Sequence, residues 1–377
     1  MRILLDGVPT LSANMGGIGY YCYYLLQNMP HLAPENQYEV LYNTSRHRPS
    51  NLQGFKEHWV GYPYMKLLRY TGDHLFYRRA LEKYVGDFDL WHGTDSNVLP
   101  TKHAKNIVTI YDLEFIKSRE TMSEKDIKKK MEIIPYSIKH ADHLIAVSQS
   151  TKNHIMELFD IPDERITVTH LAANENYRPM DRKSPELQEI RRKYQLPEKY
   201  ILYVGGVYPR KNIARMLRAY ALVKQRTGCA HKFVIAGGNG DHLPDVRQAI
   251  EQLSLQNDVF YPGYVAIEDM PAIYNLAEVF IHVSLFEGFG LHPLEALQCG
   301  VPTIVSDLTS LPEVVGDAAL LADAFAYEDI ADKLQRLILD ETLCKEYQQR
   351  GIRQAQKFSW EKTAERTLQA YHKCLEC

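Results

Sequence analysis

A short apolar run followed by a glycine loop and a short helix constrains the fold more than any other part of the chain. The run Glu278-Val-Phe-Ile-His-Val-Ser284 is β-branched and aromatic, which is typical of a buried strand. Pro293 suits the first helical position and Gly300 suits the residue just past the end, so a helix is predicted over about His292 to Cys299. A second strand follows over Pro302–Ser306, and the three elements form a parallel βαβ unit. Its loop lies at the carboxyl end of the first strand, where such sheets bind ligands.

The loop carries two carboxylates, Glu287 and Glu295, on either side of its glycines. A carboxylate accepts two sugar hydroxyls at once through charge-assisted hydrogen bonds. The two glycines let the backbone approach a ligand closely, and the helix dipole favours a negative charge. Phosphate or sugar oxygens could accept hydrogen bonds from four backbone amides, those of Gly288, Phe289, Gly290 and Leu291. The segment predicts a diphosphosugar site, although each glutamate alone is equally typical of an ordinary loop or helix-start acid.

The same alternation of apolar runs and helical patterns occurs twice along the 377 residues. One series of six runs extends from Arg2 to Val168, and another begins at Tyr200 and continues to Val305. Prolines and charges interrupt the pattern at Arg178–Pro185, so we expect the interdomain linker there. The chain is also long for a single core. Two doubly wound α/β domains with parallel sheets are predicted, facing each other across a cleft that suits a small molecule.

Composition excludes several other classes of protein. The net charge of −3 gives no field that would attract nucleic acid. The first apolar stretch is too short for a signal peptide and none approaches the length of a membrane span, so a cytoplasmic protein is expected, with its six cysteines reduced. Cys374-Leu-Glu-Cys377 has metal-binding spacing, but its terminal position favours a mobile tail.

Six motifs in order resemble one known family, the retaining glycosyltransferases of the GT-B fold, family 4 (group 1) type. The signature of that family is a glutamate pair separated by seven residues. The motifs are Tyr203-Val-Gly-Gly-Val-Tyr-Pro-Arg-Lys-Asn212, Val234-Ile-Ala-Gly-Gly238, Pro262-Gly-Tyr-Val265, Glu268-Asp-Met-Pro-Ala-Ile-Tyr-Asn275, Glu287 to Glu295, and Ser310-Leu-Pro-Glu-Val-Val-Gly-Asp317.

The resemblance implies a division of the chain into three parts. Residues 1–178 would form an acceptor-side domain and residues 179–357 the nucleotide-sugar-binding domain. Residues 358–377 would form a helix that crosses back to the first domain.

Two cations, Arg210 and Lys211, follow a strand and precede Asn212, which is interpreted as a helix N-cap. Both cations can bind a pyrophosphate, Arg210 as a planar fork and Lys211 as a point charge. Solvated surface cations are the alternative for such a pair taken alone.

The resemblance assigns further roles in the second domain. It implies that Glu287 binds donor sugar hydroxyls, that Glu295 binds the ribose, and that the backbone of Val265 contacts the nucleobase. The family often has an arginine where this chain has Gly206, which leaves more of the charge to Arg210 and Lys211.

In the first domain, the resemblance assigns Gly16 and Gly17 to a loop that closes over the donor phosphates. Tyr111 stands where relatives usually carry a histidine that touches the donor sugar, and Asp112 follows it. A phenol can bond to a sugar hydroxyl but does not become cationic near neutral pH. His92 ends another strand at the same edge and, with Asp112, is a candidate on the acceptor side, although a structural histidine is equally typical there.

A metal ion is not expected. Asp87-Phe-Asp89 resembles the metal-binding pair of a different glycosyltransferase fold, but it precedes its strand and therefore lies at the opposite edge. We interpret it as a turn that leads into the strand.

The predicted activity is retaining, metal-independent transfer of a hexose from a nucleotide diphosphosugar to an acceptor hydroxyl in surface-polysaccharide or glycolipid assembly. The loop variant resembles bacterial mannosyltransferases, so GDP-mannose is the first expected donor and a UDP-hexose the second. A sugar-nucleotide epimerase and a binding protein without turnover are the alternatives on the same scaffold.

The acceptor would be a glycan or a lipid-linked glycan. Met65–Tyr70 and Phe76–Arg79 mix cations with apolar residues and could contact an anionic membrane. A solvated helix face with a buried stripe is the alternative for these segments.

Overall fold

The computed structural model of the protein describes residues 1–12, 15–44, 52, 54–60, 81–237 and 243–376. These residues form two compact units. The first consists of Met1–Phe115, Glu124–Leu171 and Ser359–Cys377, and the second of Ile116–Ser123 and Ala172–Phe358. The two candidate membrane-contact segments, 65–70 and 76–79, lie outside the described residues.

The first unit is built on a seven-stranded sheet in which every neighbouring pair is parallel. The spatial order is β3-β2-β1-β4-β5-β6-β7, so the strand order reverses next to β1. The strands are β1 (Arg2–Asp6), β2 (Gln37–Tyr42), β3 (Lys56–Trp59), β4 (Leu90–Gly93), β5 (Lys105–Ile110), β6 (His143–Ala146) and β7 (Ile166–Val168).

Six of these strands match the predicted apolar runs, whereas β3 was not predicted. Its sequence, Lys56-Glu-His-Trp59, is polar because it is an edge strand and no residue in it is fully buried. Strands inside a covered parallel sheet are buried on both faces and are therefore almost continuously apolar.

The helices of the first unit include one from the end of the chain. They are α1 (Gly17–Leu32), α2 (Glu82–Val85), α3 (Glu114–Lys117), α4 (Glu124–His140), α5 (Gln149–Phe159) and α14 (Trp360–Glu376), of which α3 spans the boundary between the units. The ring of Trp360 stacks on Tyr24 of α1, with centroids 4.8 Å apart. Cys374 is buried on the apolar face of α14, so the prediction of a mobile tail is wrong for this residue.

The second unit has a six-stranded parallel sheet in the order β10-β9-β8-β11-β12-β13. Its strands are β8 (Tyr200–Val204), β9 (Lys232–Ala236), β10 (Val259–Phe260), β11 (Val279–His282), β12 (Thr303–Ser306) and β13 (Leu320–Ala322). Its helices are α6 (Pro185–Lys193), α7 (Ile213–Thr227), α8 (Leu243–Gln252), α9 (Met270–Leu276), α10 (Leu291–Gln298), α11 (Leu311–Val315), α12 (Tyr327–Leu339) and α13 (Glu341–Ala355).

One apolar cluster joins this second sheet to α7, α8 and α12. Ile201 and Ile281 from the central strands pack in it with Met216 and Tyr220 of α7 and Leu334 of α12, all of them fully buried. The predicted fold class, two doubly wound parallel-sheet α/β domains, is confirmed. Within the described residues, no helix has the length and apolar character needed to span a membrane.

Candidate active site

Strands β8 and β11 are neighbours in the second sheet, so the segments that follow them begin side by side at its carboxyl edge. Arg210 and Lys211 lie in a 3₁₀ turn, Pro209–Lys211, after β8. The N–H of Leu285, which follows β11, donates to the carbonyl oxygen of Arg210 at 2.7 Å. This bond holds the two loops together, as expected for two parallel strands with a shared ligand edge.

Glu287 is the centre of a buried charge cluster at this edge. Lys211 Nζ lies 2.5 Å from its Oε1, and Arg210 Nη1 lies 3.3 Å from its Oε2. The same Arg210 nitrogen also donates to the carbonyl oxygen of Phe286 at 3.0 Å. Only 11% of the Glu287 side chain and 8% of the Lys211 side chain are exposed, so water screens this contact weakly. Three residues that the sequence placed at one edge therefore lie in direct contact.

The carboxyl of Glu287 is ionised. Burial by itself would raise its pKa, but the charge of Lys211, the hydrogen bond from His282 and the charge of Arg210 together hold the pKa well below its usual range. A carboxylate in this state accepts hydrogen bonds and does not donate a proton. It is therefore unsuited to act as a general acid.

His282 was not recognised from the sequence, where it stands inside an apolar run. It is the last residue of β11 and is 1% exposed, and its Nε2 lies 2.7 Å from Glu287 Oε1. Burial lowers the pKa of His282 to about 4, so the ring is neutral at pH 7 and carries its proton on Nε2 as the donor. Its Nδ1 has no hydrogen-bond partner within the part of the chain that the structure describes.

The ring of His282 is fixed by its neighbours. The His282 ring lies parallel to the Tyr203 ring, with centroids 5.6 Å apart. The Tyr203 ring is held in turn by its hydroxyl, which donates to Gly206 O at 2.9 Å. The sequence feature that could have identified His282 is its position, since it is a polar residue at the end of an apolar strand, directly before the predicted ligand loop.

Glu295 belongs to a separate hydrogen-bond group. Its Oε2 accepts from the hydroxyl of Tyr274 at 2.8 Å and lies 3.0 Å from Nδ1 of His292. Tyr274 is fully buried in α9, so a second helix holds the carboxylate, whose side chain is 14% exposed. The two glutamates of the motif are thus fixed by different partners, which suits contacts to two different parts of one ligand.

The glycine loop is shaped by Gly290 and by the start of α11. Gly290 has φ +112°, and a Cβ there would lie 2.7 Å from a methyl of Leu311, so the position requires glycine. Ser310 Oγ donates to the carbonyl oxygens of Glu287 at 3.1 Å and Phe289 at 2.7 Å. The N–H of Glu287 donates to Thr309 Oγ1 at 3.1 Å. The sixth motif includes Ser310, but neither its hydroxyl nor that of Thr309 was assigned a role in the site from the sequence.

Two local predictions need correction. Helix α10 begins at Leu291, so Pro293 is its third residue and not its first. Asn212 precedes α7, but its side chain makes no capping hydrogen bond because the residue is left-handed, with φ +61°. Its amide nitrogen donates instead to Val283 O at 3.0 Å and Ala324 O at 2.8 Å, which ties the loops after β11 and β13 to the same point.

Comparisons with known proteins show which family the chain belongs to. Residues 15–176 match the family described as Glycosyltransferase Family 4, and residues 187–358 match Glycosyl transferases group 1. O-antigen chain mannosyltransferase B of Escherichia coli is 34% identical over 283 residues, which are 75% of this chain and 74% of that protein. The chain belongs to the group 1, family 4 glycosyltransferases.

Other relatives of this glycosyltransferase match smaller parts or show the fold alone. The serotype-specific mannosyltransferase WbdA of Escherichia coli is 32% identical over 63% of this chain, but the match spans only 29% of its own length. The structure of sucrose-phosphate synthase from Thermosynechococcus elongatus has a TM-score of 0.74 at 20% identity and covers 98% of both chains. WaaG, a glycosyltransferase of lipopolysaccharide biosynthesis, has a TM-score of 0.70 at 13% identity, covering 97% of this chain and 98% of its own. The GT-B fold inferred from the motifs is confirmed.

Two further positions of the glycosyltransferase's second unit, Gly206 and Val265, lie in partly exposed loops. Val265 is partly exposed between β10 and a 3₁₀ turn, Ile267–Asp269. Gly206 packs close to Tyr208, since a Cβ at Gly206 would lie 2.5 Å from the Tyr208 ring. The arginine that the family often has at this position would therefore fit only if the Tyr208 ring shifts. That ring is 47% exposed, so it has space to do so.

In the first unit, Gly16 and Gly17 are exposed at the start of α1, where Gly16 occupies the N-cap position. No atom of the described residues lies within 4 Å of a Cβ built on Gly16, so packing against those residues does not explain this glycine. The placement is what a loop approached by a ligand would need, and the role of both glycines stays a prediction.

His92 is fully buried, with both ring nitrogens engaged inside the first unit. Its Nδ1 lies 2.6 Å from the hydroxyl of Tyr371 in α14, and its Nε2 lies 2.8 Å from Thr109 Oγ1. Burial lowers the pKa of His92 to about 3, so the ring is neutral. These contacts favour the structural interpretation of His92 over contact with an acceptor.

Tyr111 and Asp112 also have partners within this unit. The Tyr111 hydroxyl donates to Thr94 O at 2.7 Å, and burial raises the pKa of that phenol well above its usual value. Because the only proton of the Tyr111 hydroxyl is already donated to Thr94 O, a ligand hydroxyl could bond to the Tyr111 oxygen only as the donor. Asp112 Oδ1 lies 3.2 Å from Lys130 Nζ and remains partly exposed.

The Asp87–Asp89 turn lies at the amino end of β4, where Asp89 Oδ2 accepts from the N–H of Arg2 at 2.7 Å. Across the described ranges, no three His, Cys, Asp or Glu side chains are arranged to hold a metal ion.

Proposed function

We propose that this glycosyltransferase moves a mannosyl group, with retention and without a metal ion, from a nucleotide diphosphosugar to a hydroxyl of a glycan or lipid-linked glycan. The observation that carries the proposal is the contact of Lys211 and Arg210 with an ionised Glu287 directly before the N-terminus of α10. Cations and a helix N-terminus suit a diphosphate, while the carboxylates suit sugar hydroxyls.

Glu287 has the capacity to orient a sugar. A carboxylate has about four acceptor positions, and among the described residues Lys211, His282 and Arg210 occupy three of them. One position on Oε2 therefore remains for a hydroxyl of the donor hexose. Because three donors stabilise the anion, it is a weak nucleophile, which agrees with substitution on the same face without a covalent sugar on Glu287.

Charge develops on the diphosphate as the sugar departs. Lys211, Arg210 and the first amides of α10 would stabilise that charge more in the transition state than in the ground state. The N–H groups in the first turn of a helix have no partner within the helix, so they are available for phosphate oxygens. The departing phosphate would then accept the proton from the acceptor hydroxyl.

Glu295 would hold the ribose of the nucleotide, and Val265 would contact the base through its backbone. The printed names of the E. coli relatives, mannosyltransferases of O-antigen chains, support mannose as the sugar and a bacterial surface polysaccharide as the acceptor class. GDP-mannose is the first donor to test, and UDP-hexoses are the second.

A panel of nucleotide sugars tests the donor, since a ligand that binds the folded state raises the melting temperature. GDP-mannose should raise it by several degrees and should release GDP when a lipid-linked oligosaccharide is added, with the same rate in EDTA. Stabilisation by UDP-hexoses alone would overturn the mannosyl proposal. Epimerised donor without acceptor, or binding without any product, would replace the transferase with one of the two alternatives.

A further inference from the structure

His292 stands in the first turn of α10, between the two glutamates of the motif, and the proposed transfer gives it no role of its own. Helix α10 begins at Leu291, so His292 is its second residue and Glu295 lies about one turn further on the same face. The side chain of His292 is 37% exposed, against 14% for Glu295. A partly exposed ring thus contacts a carboxylate that is mostly buried.

The hydrogen bonds around Glu295 determine which nitrogen of His292 carries a proton. Glu295 Oε2 accepts from the Tyr274 hydroxyl at 2.8 Å and lies 3.0 Å from His292 Nδ1. Burial and the neighbouring Glu295 raise the pKa of Tyr274 well above its usual value, so its hydroxyl keeps the proton. A carboxylate oxygen only accepts, so a favourable contact with it requires a proton on Nδ1. His292 is therefore a donor to Glu295.

Both donors approach the same oxygen of Glu295. The Tyr274 hydroxyl and His292 Nδ1 lie 3.4 Å apart, each within hydrogen-bond distance of Oε2. No described residue donates to the other carboxylate oxygen, Oε1. The lone pairs of Oε1 thus remain for hydroxyl donors of a ligand.

The His292 ring has neighbours that limit where it can turn. Its centroid lies 6.1 Å from the centroid of the His282 ring, at an angle of 61°. A Cβ built on Gly205, which follows β8, would lie 3.7 Å from His292 Cδ2 and 2.9 Å from the Tyr203 hydroxyl oxygen. The ring is therefore bordered by the end of β11 and by the loop after β8, which favours one orientation of Nδ1.

Tyr274 is a rigid second support for the carboxylate. It is fully buried in α9, and its ring packs against Tyr177 and against Phe280 of β11, with centroids 5.6 and 5.4 Å apart. Glu295 can leave its position only by giving up two hydrogen bonds, one to α9 and one within α10. A flexible glutamate loses conformational entropy when it binds a ligand, so holding it in place beforehand favours binding.

We propose that His292 is a positioning residue for the nucleotide part of the donor. Together with Tyr274 it holds Glu295 by Oε2 and leaves Oε1 to accept the hydroxyls of the ribose. The site therefore selects ribonucleoside diphosphates over their deoxy forms. This inference rests on the proposed function, in which Glu295 binds the ribose, and it adds the two groups that fix the carboxylate.

Isothermal titration calorimetry with GDP and with 2′,3′-dideoxy-GDP, which lacks both ribose hydroxyls, tests this role. The unaltered protein should bind dideoxy-GDP about tenfold more weakly than GDP, the value of one hydrogen bond to a charged group. His292→Leu should weaken GDP about tenfold but dideoxy-GDP by less than about twofold, because only GDP uses the positioned carboxylate. Equal losses for the two nucleotides would overturn the proposal, since a merely structural role affects both alike.

Three further variants identify the atom responsible. His292→Asn keeps an N–H donor near the position of Nδ1 and should bind GDP within about threefold of the unaltered protein. Tyr274→Phe removes the other donor and should weaken GDP but not dideoxy-GDP. His140→Leu is the matched control, because His140 Nδ1 lies 2.8 Å from Tyr136 O at the exposed end of α4, and both affinities should stay unchanged. Equal GDP affinities of the Asn and Leu variants of His292 would contradict the role of Nδ1.

Kinetics and a second nucleotide separate this inference from the proposed function. A ribose contact is the same in the ground state and in the transition state, so His292→Leu should raise the KM for the nucleotide sugar about tenfold while kcat stays within about threefold. If GDP does not bind, UDP and 2′,3′-dideoxy-UDP take its place in every comparison. Failure of the unaltered protein to bind either nucleotide would overturn the proposed function together with this inference. Binding that tolerates the loss of both ribose hydroxyls would overturn this inference alone.

Discussion

Glu39 and Glu287 are two glutamates of this molecule with nearly the same partners. Glu39 is paired with Arg2 at 2.7 Å, Lys56 at 3.3 Å and His58 at 2.5 Å. Glu287 has an arginine, a lysine and a histidine as well, at 3.3, 2.5 and 2.7 Å. Both carboxyls have a lowered pKa, against the effect of burial, because of these partners. Composition and charge alone would therefore assign the two clusters the same role.

Their positions in the sheets are different. Glu39 lies within β2, and its partners belong to β1 and β3 on either side, with Arg2 and Lys56 as the first residues of those strands. Arg2 also donates to the backbone of Val85 and Asp87. Glu287 follows β11 in a glycine loop before a helix. The comparison teaches that a charge cluster at the amino end of parallel strands joins strands together, whereas the same cluster at the carboxyl end can meet a ligand.

Replacing the lysine of each cluster gives the largest contrast. Lys211→Ala should lower the rate of sugar transfer about 10²–10³-fold, the usual effect of removing one preorganised group that stabilises transition-state charge. Lys56→Ala should leave the rate within about twofold, because the Lys56 side chain is 62% exposed and surface pairs contribute little. Initial rates with saturating donor measure both. A similar loss in the two variants would remove the distinction between the clusters.

Removal of the two glutamates should separate stability from activity. Glu39→Ala leaves the Arg2 guanidinium without its carboxylate, so the free energy of unfolding should fall by about 3 kcal/mol while kcat per folded molecule is unchanged. Glu287→Ala should nearly abolish transfer in protein that still folds. Urea unfolding and activity assays on the same samples would show this, and a loss of kcat in Glu39→Ala at temperatures where it is folded would contradict it.

Replacing His282 beside Glu287 and His58 beside Glu39 tests the same contrast between the two clusters. His282→Leu removes the N–H that positions Glu287 and should lower kcat about tenfold, the value of one hydrogen bond to a charged group. His282→Gln can donate from its amide and should recover most of the rate. His58→Leu is the matched control, for which we expect a lower melting temperature and an unchanged kcat. Equal activity of the Leu and Gln variants would exclude the positioning role of His282.

The smallest effect concerns stability at low pH. Burial would raise the pKa of Glu39, but Arg2, His58 and Lys56 lower it from 4.5 to about 2 in the folded protein. The unfolded chain therefore binds this proton at higher pH than the folded one, and the stabilisation, fully present above pH 4.5, is lost as the pH falls towards 2. Glu39→Gln should remove about 1 kcal/mol of this pH dependence, allowing for screening by solvent. Urea midpoints between pH 5 and pH 3 measure it, and parallel curves for the two proteins would contradict the cause given.

The sequence was sufficient for the parts of the fold and site that depend on local pattern. Buried strands were predicted because their runs are apolar, and Arg210, Lys211 and Glu287 were placed together because they follow strands at one sheet edge. The edge strand β3 could not be predicted, since its polar residues are explained by their pairing with Glu39 on the neighbouring strand.

The missing parts of the site share a different cause. His282, Tyr274, Thr309 and Ser310 act through hydrogen bonds to residues of the motif, and most of those bonds join separate elements. Single-residue chemistry does not reveal such partners, because an isolated serine or tyrosine has no preferred role until its neighbour in space is known.

The return of α14 to the first unit has a consequence for how the protein is made. The first unit is assembled from three stretches of chain, and the last of them, Ser359–Cys377, is synthesised after every residue of the second unit. Domains generally fold as units while the ribosome delivers them, starting from the N-terminus. Tyr24 and His92 in the early part of the chain have their partners Trp360 and Tyr371 in this last stretch, so the unit whose synthesis begins first is completed after the second unit.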